Sequence, residues 1–199
     1  MPISHNLKSF FIHIPKNAGT AISNSKKANF LMNGHYSAME MALKFPKEWN
    51  EYFKFAIIRN PWDRLVSNYE YARMETSYWH SADSSRPYST HFDYHTLKDK
   101  SFEDCVNMLY YDRNVFKHQG WVPQYTWICD KNGNIMVDKL FYYENLETNE
   151  TFKKLLPDLE KVNLTTKKYT DYKDYYNKDL VDKVFRIYEK DINLFEFKY

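Results

Sequence analysis

The chain has 199 residues, of which 43% are hydrophobic and 19% aromatic, and its formal net charge is +2. A chain of this length and composition can form one domain with a hydrophobic core, which excludes low-complexity and fibrous proteins. The small net charge gives no indication of a nucleic-acid partner, so any anion site has to be a local one.

Targeting signals and cysteines indicate the compartment. The N-terminal residues lack the apolar segment and cleavage site of a signal peptide, and no window approaches about 18 apolar residues. Cys105 and Cys129 have no C-x-x-C spacing and are predicted to be buried free thiols rather than part of a disulfide scaffold. These features predict a cytoplasmic protein without a membrane partner. The oligomeric state is left open.

The first part of the chain predicts strands that alternate with helices. Residues 9–14 form an apolar, β-rich run that ends before a proline. A helix is expected from Thr20 onward and another over 38–49, which Pro46 should interrupt near its end. Residues 52–59 predict a second core strand.

The helix that follows this strand carries the clearest start signal. Asn60 can cap it, Pro61 stands at the first helical position, and Asp63 lies in the first turn. Residues 76–100 show no clear period and are rich in Ser, His and Tyr, which predicts a long loop that is either functional or disordered.

The remaining segments complete the fold prediction. Residues 101–111 predict a helix that begins with a capping box of Ser101 and Asp104. Apolar runs on both sides of Asn132 and Gly133 predict a β-hairpin, and two further helices are expected near 149–156 and 178–190. Because strands alternate with helices, we predict an α/β fold: a single P-loop-like domain over 1–199 with a central, mostly parallel sheet flanked by helices.

The loop between the first strand and its helix is the first candidate anion site. Backbone N–H groups in such a turn can bind a phosphate-like anion. Lys16 adds a positive charge, Gly19 permits close approach, and Thr20 adds a hydroxyl donor. The alternative is a tight turn with a surface lysine.

A second candidate anion site follows the second strand. Arg59 stands at the carboxyl end of that strand, where open α/β sheets bind ligands, and Ser67 lies about two turns into the next helix. The two side chains could hold a second phosphate through charge-assisted hydrogen bonds. The alternative is that Arg59 pairs with a carboxylate and Ser67 lies on the helix surface.

Together the two sites resemble the motifs of a known family. The sulfotransferases that use 3′-phosphoadenosine 5′-phosphosulfate (PAPS), especially their carbohydrate O-sulfotransferase branch, carry motifs similar to HIPKNAGT and RNPWDRLVSNY in this chain. The likeness extends more loosely to GHYSA (34–38), PQYTWI (123–128) and LFYYENL (140–146).

The resemblance implies a nucleotide site and its residues. The 5′-phosphosulfate would be bound by Lys16, Asn17, Ala18, Gly19 and Thr20. The 3′-phosphate would be bound by Arg59 and Ser67. PAPS would be the co-substrate and 3′-phosphoadenosine 5′-phosphate (PAP) the product, with no metal expected.

The chemistry of sulfuryl transfer then assigns the catalytic residues. Lys16 could neutralise charge that grows on the leaving phosphate oxygen, and the acceptor hydroxyl needs a general base. His35 is the favoured base, because it follows Gly34 in a turn, a Gly-His pair stands at the base position of the resembling family, and the ordinary pKa of histidine suits proton abstraction near neutrality. The alternative is a surface or helix-capping histidine. Glu40 is the second candidate base.

Alternatives stay open for a lysine pair and for the histidines of the 76–100 loop. Lys167 and Lys168 could close over the 3′-phosphate or form a solvated lysine pair. The loop histidines His80, His91 and His95 match no compact zinc pattern, so a loop that covers the substrate is preferred to a metal site.

The predicted function is therefore a PAPS-dependent transfer to an acceptor hydroxyl, on a carbohydrate or small molecule whose identity stays open. One alternative is a P-loop-type kinase or NTPase, although the chain lacks its G-K-[ST] sequence. Another is a nucleotide-binding protein of the same fold without catalysis.

Overall fold

The computed structural model describes residues 3–23, 25–31, 34–75, 90–159 and 171–199. The chain divides into two units, the first made of Met1–Arg59 and Val122–Val162, and the second of Asn60–Trp121 and Asn163–Tyr199. The prediction of one domain over 1–199 stays a prediction.

A sheet of four strands organises the first unit. The strands are β1 (Ile3–Ser4), β2 (Ser9–Ile12), β3 (Phe53–Ile58) and β4 (Lys139–Tyr142), and they lie in this order across the sheet. β1 pairs antiparallel with β2, whereas β2, β3 and β4 are parallel neighbours. The predicted strands at 9–14 and 52–59 are confirmed as β2 and β3.

The helices connect these strands and build the second unit. In chain order the described residues form α1 (Gly19–Ser23), α2 (Ala38–Lys44), α3 (Pro46–Glu51), α4 (Pro61–Ala72), α5 (Tyr94–Leu97), α6 (Phe102–Tyr111), α7 (Tyr125–Ile128), α8 (Glu150–Leu155), α9 (Lys178–Ile187) and α10 (Glu189–Leu194). Short 3-10 turns occur at Gln119–Trp121, Tyr143–Asn145 and Tyr172–Tyr175. No helix in the described ranges is long and apolar enough to cross a membrane.

Aromatic side chains cover one face of the sheet. Phe11 and Phe55 on neighbouring strands have ring centroids 5.2 Å apart, and Phe141 lies 6.0 Å from Phe55. Phe152 of α8 packs 5.1 Å from Phe141, and Ile22 of α1 belongs to the same buried cluster.

The opposite face of the sheet is also covered, because successive side chains of a strand point to opposite sides. Phe10 packs against Phe45 and against Trp49 of α3, with centroids 6.3 and 5.2 Å away. Helices therefore flank the sheet on both faces, which confirms the predicted α/β fold with a mostly parallel sheet.

The second unit is helical and is built around α4. Asn60 accepts a hydrogen bond from the backbone N–H of Trp62, as the predicted cap requires, and Pro61 is the first helical residue. Most side chains of α4 are buried, and its apolar residues share a core with α6, α9 and α10. Cys105 of α6 is buried in this core and Cys129 in the first unit, and both are free thiols as predicted.

The helix expected from Thr20 onward is shorter than predicted. It ends at Ser23, and the chain then turns over residues 26–28. Ser25 Oγ accepts a hydrogen bond from the Ala28 N–H and donates to Asp158, which also accepts from the Lys27 N–H. These side-chain bonds compete with helix continuation.

The predicted hairpin around Asn132 and Gly133 is present only as a short antiparallel turn, and the predicted pairing of its flanking strands is wrong. Residues 125–128 form the helical turn α7, and only one antiparallel bridge joins Cys129 to Ile135. The turn itself exists because the Asp130 carboxylate accepts backbone N–H groups of Asn132 and Asn134. The chain then continues into β4, which pairs in parallel with β3.

The other predicted helices agree with the structure in their main features. Pro46 does not end a helix but begins α3, after Phe45 has closed α2. The helices expected near 149–156 and 178–190 correspond to α8 and to α9 followed by α10.

Ser101 offers a test of the local start signal of α6. Its hydroxyl accepts the Asp104 N–H, and the Asp104 carboxylate accepts the Ser101 N–H, so both halves of the capping box are formed. We expect Ser101→Ala to lower the free energy of unfolding by about 1 kcal/mol, measured by urea denaturation. Ser101→Thr keeps the cap and should resemble wild type; an alanine variant of wild-type stability would contradict the assignment.

Candidate functional site

The loop after β2 has an unusual backbone. Lys16 and Ala18 adopt left-handed conformations, with φ of 69° and 60°. Non-glycine residues in this region are strained, and such residues concentrate at functional sites. A turn of this kind can gather successive backbone N–H groups around an anion.

Asn17 fixes this loop to the end of the neighbouring strand. Its side chain is fully buried, and Nδ2 donates to the backbone oxygen of Ile57, in β3, at 2.7 Å. The same nitrogen donates to Oε1 of Gln124 at 2.7 Å. The Asn17 side chain therefore belongs to the framework of the loop.

Arg59 is held by the same glutamine. Its backbone N–H donates to Gln124 Oε1 at 2.9 Å, and its carbonyl oxygen accepts from Gln124 Nε2 at 2.8 Å. The Arg59 side chain is 5% exposed. Its Nη1 donates to the carbonyl oxygen of Lys16 at 2.8 Å, and its guanidinium carbon lies 4.1 Å from the ring centroid of Tyr143. The structure thus brings Arg59 to the loop that carries Lys16.

Gly19 is required because of its neighbour His13. A Cβ atom at position 19 would overlap the imidazole ring of His13, which occupies the adjacent space. The missing side chain at position 19 therefore makes room for this ring, and the close approach of an anion to Gly19 stays a prediction. Thr20 is half-buried beside it in the first turn of α1.

His35 contacts the same strand end through His13. The Nδ1 atom of His35 lies 2.9 Å from the carbonyl oxygen of His13, and the two rings are 4.2 Å apart. Since a carbonyl oxygen can only accept, Nδ1 of His35 carries the proton. In the neutral ring, Nε2 of His35 then holds the lone pair that a general base needs.

His13 differs from His35 in its electrostatic environment. Burial lowers the pKa of His13 well below its ordinary value, and the neighbouring His35 lowers that pKa further. His13 is therefore neutral near pH 7 and contributes a packing surface, its ring stacking 5.5 Å from Phe11.

Glu40, the second candidate base, serves as a helix cap. Its carboxylate accepts the Ser37 N–H at 2.6 Å and the Ser37 hydroxyl at 2.8 Å, which completes the capping box of α2. This geometry favours His35 over Glu40 as the base.

Ser67, predicted to bind the second phosphate, lies on α4 of the second unit. It is 5% exposed, so the alternative of a helix-surface serine does not apply. Arg64, one turn earlier, is buried on the same helix. The pairing of Ser67 with Arg59 stays a prediction.

A second polar cluster contains His91 of the predicted 76–100 loop. The buried Asp93 carboxylate accepts N–H groups of Lys117, His118 and the Trp121 indole. Nδ1 of His91 accepts the Asp93 N–H. These bonds join two chain segments, and in the described part of the chain no group of three or more His, Cys, Asp or Glu could hold a metal ion.

Several predictions fall where the structure gives no description. Residues 76–89 of the predicted loop, including His80, lie outside the described residues, as do Lys167 and Lys168. Within the described remainder of that loop, Tyr94–Leu97 forms the helical turn α5.

Gln124 and Tyr143 contact the site residues but are not among the residues predicted from the sequence. They stand in the stretches PQYTWI and LFYYENL, whose looser resemblance to the family assigns no role to a single residue. A single buried glutamine has no periodic pattern that could have marked it.

A known protein family matches nearly the whole chain. A family model described as "Sulfotransferase family" matches residues 3–198, which is nearly the whole chain. No curated protein and no solved structure matches the chain. The extent of the family match shows that the chain belongs to the sulfotransferase family.

Proposed function

We propose that the protein transfers the sulfuryl group of PAPS to a hydroxyl group of an acceptor, and that the favoured class of acceptor is a carbohydrate. The family match supports sulfuryl transfer in general and favours it over the kinase alternative. We propose three further points: that PAPS is the donor, that the acceptor belongs to the class named here, and that single residues have the roles given below.

One observation carries the proposal. The candidate base His35 is hydrogen-bonded to the carbonyl oxygen of His13, three residues before Lys16 at the same strand end. A proton acceptor and a cation are therefore anchored to one short loop, as a transfer between a hydroxyl and a phosphate leaving group requires.

The proposed reaction is an in-line displacement at sulfur. The acceptor oxygen forms a bond to sulfur while the bond from sulfur to the 5′-phosphate oxygen of PAPS breaks. The acceptor proton passes to Nε2 of His35, and the bonding electrons leave with PAP. Lys16 stabilises the negative charge that grows on the leaving oxygen.

The nucleotide would be bound from the ends of β2 and β3. The backbone of Lys16–Thr20 and the Thr20 hydroxyl would bind the 5′-phosphosulfate, with Asn17 acting through its main chain, since its side chain amide donates to Ile57 and Gln124. Arg59 and Ser67 would bind the 3′-phosphate. No metal is needed in this scheme, because the sulfuryl group carries less charge than a γ-phosphate.

A carbohydrate acceptor is supported by the resemblance of the motifs and by the composition of residues 76–100, which contain Tyr, Trp, His and Ser. Aromatic rings and hydroxyl groups suit stacking on, and hydrogen bonding to, a sugar. A small alcohol would fit the same chemistry.

The direct test combines binding with transfer. Calorimetric titration with PAP should give one site per chain, and incubation with PAPS and a panel of glycans and small alcohols should give a sulfated product detected by mass spectrometry. A protein that binds no PAP would refute the donor assignment. Binding of PAP without transfer to any acceptor would favour the non-catalytic alternative.

Replacing Lys16 tests its role at the leaving oxygen. Lys16→Met removes the charge and keeps much of the side-chain volume, so the turnover number should fall on the order of 10²–10³-fold. Steady-state kinetics at saturating PAPS measure this effect. Lys139→Met, at the opposite end of the parallel strands, is the matched control and should behave as wild type. Normal turnover of the Lys16 variant would exclude its catalytic role.

Replacing His35 tests the general base. His35→Ala should lower turnover by about 10²–10⁴-fold, because the acceptor hydroxyl loses its proton acceptor. The affinity for PAP should stay close to that of wild type, since His35 is not assigned to the nucleotide. His5→Ala, which changes an exposed histidine, serves as the control. Equal loss of PAP binding and turnover would argue that His35 is structural.

A further inference from the structure

We propose that Gln124 is the positioning residue of the donor site, which holds both the Lys16–Thr20 loop and Arg59 in their binding arrangement. Its effect on the nucleotide rests on the function proposed above, whereas its effect on the loop does not. Gln124 belongs to neither of the two predicted anion-binding motifs.

The Gln124 side chain lies where the two loops meet. It is fully buried, and its Oε1 accepts from Asn17 Nδ2 at 2.7 Å and from the Arg59 N–H at 2.9 Å. Its Nε2 donates to the Arg59 carbonyl oxygen at 2.8 Å. A single amide thus contacts the residue after Lys16 and both polar backbone groups of Arg59.

These hydrogen bonds fix the position of the Lys16 backbone in two ways. Along the chain, Gln124 holds Asn17, the next residue, whose amide also donates to Ile57 in β3. Across the sheet edge, Gln124 fixes the Arg59 backbone, and the Arg59 guanidinium donates to the Lys16 carbonyl oxygen. Two series of hydrogen bonds therefore support the strained left-handed backbone of Lys16, and Gln124 takes part in both.

The hydrogen-bond pattern requires an amide at this position. The side chain must accept two N–H groups and donate one N–H to a carbonyl, all without contact with water. A methionine of similar length forms none of these bonds, and a glutamate carboxylate forms only the two in which it accepts. Buried groups that lose their partner are costly, so the loop should shift to regain one.

The experiment measures affinity and the active fraction separately. Calorimetric titration of the full chain with PAP gives both a dissociation constant and a stoichiometry. For Gln124→Met we expect a dissociation constant raised about 10-fold or more at unchanged stoichiometry. A merely structural role would instead lower the stoichiometry and the melting temperature, and the remaining folded protein would bind PAP normally.

Gln119→Met is the matched control. Gln119 is the other glutamine of the chain and is exposed, so the same chemical change there should leave PAP affinity at its wild-type value. Gln124→Ala provides a smaller variant, which removes all three side-chain hydrogen bonds without introducing a charge. If Gln124→Met does not fold, a raised dissociation constant in Gln124→Ala supports the proposal, and a wild-type value overturns it.

Hydrogen exchange without any nucleotide separates this proposal from the proposed function. The Arg59 N–H, which donates to Gln124 Oε1 in wild type, should exchange at least several-fold faster in Gln124→Met, with amides of α6 unchanged. Exchange of the Arg59 amide at the wild-type rate would overturn the positioning role whatever the PAP result. A wild-type protein that binds no PAP would refute the donor assignment alone, and faster exchange of the Arg59 amide would still support the role of Gln124.

Discussion

The parallel pairing of β2 with β3 is the constraint on which the site depends. Parallel neighbours end at the same edge of a sheet, so the residues that follow Ile12 and Ile58 meet although they are 46 positions apart in the chain (58 − 12). An antiparallel pairing would send Lys16 and Arg59 to opposite edges. The hydrophobic runs that form the two strands therefore also decide where the backbone of the Lys16 loop meets the Arg59 guanidinium.

The edge of the sheet carries costs that the rest of the first unit offsets. Two non-glycine residues in the left-handed region cost roughly 1–2 kcal/mol each, and buried amide groups are costly unless they are hydrogen-bonded. The sheet faces supply the compensating burial, with phenylalanine rings from all three parallel strands in contact with residues of α1, α3 and α8. Rigid strands support a strained loop, which is the usual arrangement at a binding site.

Local signals made much of the fold predictable. The strand runs, the Asn60 cap with Pro61, and the capping box of Ser101 and Asp104 each act over a few residues, and the structure contains all of them. The predicted pairing of strands across the Asp130 turn failed, because a turn signal indicates only that the chain reverses. The partner of β4 is instead a strand more than 80 residues earlier. The two motif loops were also identified from sequence, although what their residues bind stays a prediction. Gln124 could not be found in this way, because its partners lie 65 and 107 positions away.

The contact between His13 and Gly19 has a consequence for how this chain can vary. His35 is oriented by a main-chain carbonyl, which every residue at position 13 would provide, so that hydrogen bond tolerates substitution. The ring of His13 does not tolerate a larger neighbour, because it fills the volume that any side chain at position 19 would enter. Relatives that carry a larger residue at position 19 should therefore carry a smaller one at position 13. The orientation of the proposed base therefore does not depend on which residue stands at position 13. The shape of the loop depends on residues 13 and 19 together.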